Sequence, residues 1–154
     1  TVMTMTDFLP CIYALVGCAA FSVVFEIRDI KKLASASFCG FVSWLVFTLC
    51  SFVGTGIWAD TIRYFIATIA VAIFAEIFAR VHKAPATLFL IIGIIPLVPG
   101  GGIYYTMEAL INGDMQLFVY KGLSTGACAG AIAVGCSMVA STVRMITAAI
   151  RNEK

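Results

Sequence analysis

Charged residues are scarce in this 154-residue sequence: Asp, Glu, Lys and Arg together make up 12% of it. A soluble domain carries about 25%, because its surface must keep polar groups facing water. With 62% hydrophobic residues and a mean hydropathy of +1.05, the chain fits a lipid solvent instead. The net charge of +2 comes from scattered basic residues, which excludes the basic face of a nucleic-acid binder. Histidine occurs once, at His82 between Arg80 and Lys83, where a solvated loop position is expected. No Ser/His/Asp, Cys/His or paired-carboxylate set falls at one depth, so catalysis is not expected. Cys11, Cys18, Cys39, Cys50, Cys128 and Cys136 all lie in apolar runs. None forms a CxxC or other metal-ligand spacing, and buried free cysteine behaves as a small hydrophobe. Neither a metal nor a cofactor is expected.

Linkers, low-complexity runs and obvious repeats are also missing, so residues 1–154 read as a single transmembrane domain of all-α class. A spanning helix needs about 20 mostly apolar residues. Five segments approach that length: 8–25, 38–59, 64–80, 86–111 and 122–143, with a short tail over 144–154. In the first, Pro10 stands in the opening turn, where its missing N–H costs nothing. No basic region precedes this run and no small-residue cleavage site follows it, so a retained span is expected rather than a signal peptide. In the second, Gly54 and Gly56 are expected to loosen the end, and Trp58 to anchor it at the interface.

The few charges orient the chain. With five spans and the N-terminus outside, Arg28, Lys31, Lys32, Arg80, Lys83, Arg144, Arg151 and Lys154 lie inside. Only Arg63 and Lys121 lie outside. Cytoplasmic loops carry the excess of Lys and Arg, so the C-terminus is expected in the cytoplasm. A re-entrant hairpin at 96–102 would flip the last span and expose Arg144, Arg151 and Lys154 outside, which the same rule disfavours.

The fourth span is expected to be discontinuous at Pro96–Gly102, in the run Pro96-Leu-Val-Pro99-Gly100-Gly101-Gly102. Each proline removes a donor and frees the carbonyl four residues earlier, here those of Ile92 and Ile95. Three glycines allow backbone that other residues take at a cost. Counted from Pro85 at 1.5 Å per residue, Pro96 lies about 17 Å deep, near the middle of the bilayer. A second half-helix starting near Ile103 would present free N–H groups there. A simple packing kink is the plainer alternative. Tyr104 and Tyr105 follow, deeper than the usual aromatic belt. Their hydroxyls, with that of Thr106, either line a polar site or bond to neighbouring backbone.

Glu76 is an acid inside a span, a candidate for proton coupling. It also stands four residues before Arg80, where an i,i+4 pair would be purely structural. Glu108, nearer the outer surface, is a second coupling candidate or a solvated side chain. Gly122, Gly126 and Gly130 recur at i,i+4 on the last span, the small-xxx-small pattern of close helix packing.

The run Ala75-Glu-Ile-Phe-Ala-Arg-Val-His-Lys-Ala-Pro85, continuing through Gly93-Ile-Ile-Pro-Leu-Val-Pro-Gly-Gly-Gly-Ile-Tyr104, resembles the threonine/serine exporter (ThrE-like) family. Within it, the chain is similar to the small-subunit, YjjB-type members, which correspond to the C-terminal half of the single-chain exporters. The resemblance covers essentially the whole chain. It implies export of threonine and serine, or of dicarboxylates such as succinate, across the bacterial cytoplasmic (inner) membrane. It also implies a larger membrane subunit supplying the N-terminal half, and hence a hetero-oligomer. Pro96, Pro99, Gly100, Gly101, Gly102, Tyr104 and Tyr105 are then the candidate substrate-binding residues. The competing reading is a membrane scaffold that stabilises a partner holding the substrate site; a scaffold would tolerate substitutions at Tyr104 or Glu76.

Overall fold

In the computed structural model, residues 5–50, 54 and 56–152 are described, with side chains placed over 9–50, 54 and 56–150. Every regular element among them is helical: α1 (Met5–Val24), α2 (Ile30–Leu49), α3 (Ile57–His82), α4 (Ala86–Ile94), α5 (Gly100–Ile111) and α6 (Met115–Asn152). A single 3-10 turn, Ile95–Leu97, follows α4.

Three helices, α2, α3 and α6, are long and apolar enough to cross a bilayer. The α4–α5 pair passes the same test jointly, bent by 46° at its break, and makes a fourth if it is one span. The apolar part of α1, Leu9–Val24, is shorter. Among the described residues, length and composition support three spans, or four with the bent pair; the fifth expected span, α1, falls short of that length.

Helix boundaries differ from the apolar runs because caps, not hydropathy, set where a helix begins. The second helix starts at Ile30 rather than 38, where Asp29 caps it by accepting the Lys31 N–H at 3.1 Å. It ends at Leu49 rather than 59. Gly54 and Gly56 then lie between helices, with φ of 112° and 121°. Trp58 belongs to the first turn of α3 and is 83% exposed. Residues 144–150, expected as tail, continue α6. The α1–α2 connection is a Schellman turn: Ile27 N–H reaches Ser22 O, Glu26 N–H reaches Val23 O, and Glu26 takes φ 55°.

Lipid supplies no hydrophobic drive between helices, so close packing through small residues has to hold them. The buried positions show this. Ala36 and Cys39 of α2 and Ala67, Val71, Ala72 and Ala75 of α3 are all buried. Helix α4 nests against α1, α2 and α3. Its Gly93 is essential to that fit: a Cβ there would come within 2.8 Å of both Cys39 Cβ and Val71 Cγ1. Phe89, fully buried, meets Phe78 and His82 with ring centroids 6.1 and 5.8 Å away.

Helix α6 packs along α3 in parallel. Gly135 lies against Thr68, and Arg80 Nη2 donates to Thr147 Oγ1 at 3.4 Å, both pairs sharing one offset along the two helices. Helix α5 leans on α6 alone among its substantial neighbours. The two are joined by a turn in which Gly113 takes φ 76° and Asp114 Oδ1 accepts the Leu117 N–H at 2.9 Å.

Candidate functional site

The break between α4 and α5 is built from its two prolines. Pro96 has no N–H to give Ile92, so the helix tightens and the Ile95 N–H takes that carbonyl instead. The Cys18 thiol of α1 donates to the same oxygen at 3.3 Å. Pro99 likewise frees the Ile95 carbonyl, which accepts the Val98 N–H at 3.2 Å. Val98 is extended, and Pro99 (φ −76°, ψ 56°) forms the centre of an inverse γ-turn closed by Gly100 N–H to Val98 O at 2.7 Å. Both carbonyls that the prolines release are thus satisfied inside the chain.

The glycines do something other than expected. None of Gly100, Gly101 and Gly102 has positive φ, and α5 begins at Gly100 rather than near Ile103. Helical backbone resumes directly after Pro99, so the irregular stretch covers only residues 95–99. The Ile103 N–H, expected free, bonds Pro99 O at 3.1 Å. Gly101 and Gly102 remain as first-turn residues whose N–H groups have no intrahelical acceptor.

Packing explains only one of the three glycines. A Cβ on Gly102 would run into Thr125 of α6. Gly100 would meet nothing within 4 Å, and Gly101 only the Tyr105 ring at 4.0 Å. Gly100 and Gly101 therefore show bare backbone on the open side of the break. Tyr104 and Tyr105 follow on the same helix, 65% and 55% exposed, their rings edge to face at 5.4 Å. The Thr106 hydroxyl is spent on its own helix, donating to Gly102 O at 2.7 Å.

The other singled-out residues are placed as follows. Glu76 is half-buried on α3 and does not pair with Arg80: the ion pairs among the described residues are Lys32–Asp29 and Arg63–Asp60. Arg80 reaches across to Thr147 instead. Glu108 is exposed near the far end of α5. His82 is not a solvated loop residue. It is the last residue of α3, half-buried, its Nε2 2.8 Å from Ser35 Oγ and its ring stacked on Phe89. Among the glycines of α6, Gly122 has room for a Cβ only against Thr106 Cγ2 at 3.4 Å, whereas Gly126 and Gly130 meet nothing within 4 Å. The close contacts of α6 are made at Thr125 and Gly135 instead. Sequence reasoning missed Gly93, Gly135 and the Cys18 bond, because a single glycine or cysteine in an apolar run announces no neighbour.

A comparison with curated proteins and with solved structures returned no match. The family model described as "Threonine/Serine exporter, ThrE" matches residues 10–142, a stretch that takes in the α3–α4 connection, the break and α5 entire. The chain belongs to the threonine/serine exporter family.

Proposed function

We propose that this chain is one subunit of a secondary exporter that moves threonine and serine out across the bacterial cytoplasmic membrane. One observation carries the reading: the open backbone at Gly100 and Gly101, at the start of a half-helix placed by the sequence near mid-membrane. Irregular backbone at that depth is tolerated only inside protein or beside a wet cavity. A carboxylate there must meet compensating donors. The N–H groups of Gly101 and Gly102, with the positive end of the α5 dipole, supply them without a basic side chain. Tyr104 or Tyr105 adds a hydroxyl. Glycine lets the ligand approach the main chain.

The same observation supports a partner. Among the described residues α5 has a substantial neighbour only in α6, so the break's open side calls for a further protein wall. A larger membrane subunit, of the kind the family resemblance implies, fits that place. Counting α1 as a span gives five crossings with the N-terminus outside. The basic ends of α2 and α3 then gather on the cytoplasmic side. Glu76, half-buried and unpaired among the described residues, is the coupling carboxylate of this reading.

The test is efflux of preloaded labelled threonine, serine or succinate from cells with and without the chain. Chain-dependent threonine or serine efflux supports the reading, and efflux of succinate alone replaces the substrate. Full transport by the purified chain in liposomes contradicts the two-subunit arrangement.

A further inference from the structure

The face of α5 that leaves the break does not end at the tyrosines. Tyr105, Glu108 and Asn112 recur at i, i+3 and i+7, and across the turn Asp114, Leu117 and Lys121 meet them from α6. Together these residues line a hollow of ≈ 320 Å³ at the outer end of the hairpin. Ligand pockets run from about 300 to 1,000 Å³, so this one suits a small molecule.

Its charges are opposite and held apart. Lys121 is half-buried, with Nζ 5.9 Å from the centre of the Tyr105 ring. Neither it nor Glu108 belongs to an ion pair among the described residues. Asp114 is engaged, since its Oδ1 caps α6 through the Leu117 N–H. The hollow thus holds one ammonium and two carboxylates: Glu108, outside any ion pair among the described residues, and Asp114, which stays anionic while it accepts the Leu117 N–H; the Asn112 amide and the Tyr105 phenol share its walls. A molecule bearing both a carboxylate and an ammonium satisfies both walls at once. A dicarboxylate would set one of its anions against Glu108.

We propose that this hollow is a second, outward-facing substrate site, in which Lys121 receives the carboxylate and Glu108 the ammonium of a small α-amino acid. The site rests on the exporter reading above and narrows it to zwitterions. It lies on the route from the break, because Gly101, Tyr105, Glu108 and Asn112 fall along one side of α5. Eleven residues at 1.5 Å each separate its ends by about 17 Å. The substrate passes from main-chain donors at the break to side-chain charges at the exit.

The experiment is threonine exchange in right-side-out membrane vesicles from the native host, carrying the parent or a variant chain, so that any partner is present. Glu108→Gln and Lys121→Gln are expected to raise the external threonine concentration for half-maximal exchange tenfold or more. The internal half-saturating concentration should stay within twofold, and Lys121→Arg should restore the external value. On the parent, N-acetylthreonine and threoninamide, each lacking one charge, should compete from outside at least tenfold more weakly than threonine. Exchange by the parent with unchanged external half-saturation in both variants overturns the outer site and leaves the exporter reading standing. So does competition by either analogue as strong as that of threonine, a readout that needs no variant to fold. Absence of threonine and serine exchange in the parent overturns both.

Discussion

The Cys18 thiol donates to the Ile92 carbonyl at 3.3 Å, and Ile92 is the residue that Pro96 deprives of its helical partner. A side chain of α1 thus adds a second donor to a carbonyl that the Ile95 N–H already reaches, and ties α1 to the α4–α5 break. Interhelical hydrogen bonds in membranes are worth about 0.6 kcal/mol on average and at most about 1.7. Cys18→Ala is expected to destabilise the chain by an amount in that range, and Cys18→Ser by less, read from unfolding in detergent. Equal stability of the alanine variant and the parent would show that the thiol only fills space.

Gly93 and Gly126 make a matched pair for separating fold from assembly. Gly93→Ala drives a methyl into Cys39 and Val71, both 2.8 Å away, and overpacking of this kind costs about 1–3 kcal/mol. Gly126 has nothing within 4 Å, so Gly126→Leu should leave the chain's own stability near that of the parent. If the open face at Gly126 and Gly130 receives the larger subunit, the leucine will abolish co-purification of that subunit. Loss of intrinsic stability in Gly126→Leu would mean that the face packs within the chain.

Topology is checked by labelling single cysteines in a Cys-free background. Arg28, between α1 and α2, and Gln116, in the first turn of α6, are both exposed. Position 28 should label only from the cytoplasm and position 116 only from outside. The reverse pattern would invert the orientation drawn from the basic residues.

Glu76→Gln should remove the response of threonine export to an imposed proton gradient while leaving threonine exchange intact. Retention of that response would return Glu76 to a structural role and move coupling to Glu108 or to the partner.

The sequence made the membrane class, the helical architecture and the place of the break legible, because each follows from long-range composition or from proline's missing donor. It misplaced the start of α2, where Asp29 caps a helix that runs past its apolar core through Lys31 and Lys32. It credited Gly100–Gly102 with unusual backbone, although all three lie in the first turn of α5 without positive φ. Its spacing offered an i,i+4 pair with Arg80 as one of two readings of Glu76, but the guanidinium finds Thr147 on a helix 67 positions later. It left His82 in water, whereas Ser35 and Phe89 fold around it. These misses share a cause: spacing along one helix cannot say which other helix stands beside it.

The measurement that bears most directly on the carboxylate site is threonine efflux by Gly101→Val. A Cβ at this position meets only the Tyr105 ring, at 4.0 Å, so packing within the chain does not forbid valine. Expression, thermal stability and subunit association should stay near those of the parent. Transport should be abolished, because the valine branches screen the Gly101 and Gly102 N–H groups from the substrate. A stable Gly101→Val chain that exports threonine at the parental rate would contradict the account and place the carboxylate site elsewhere.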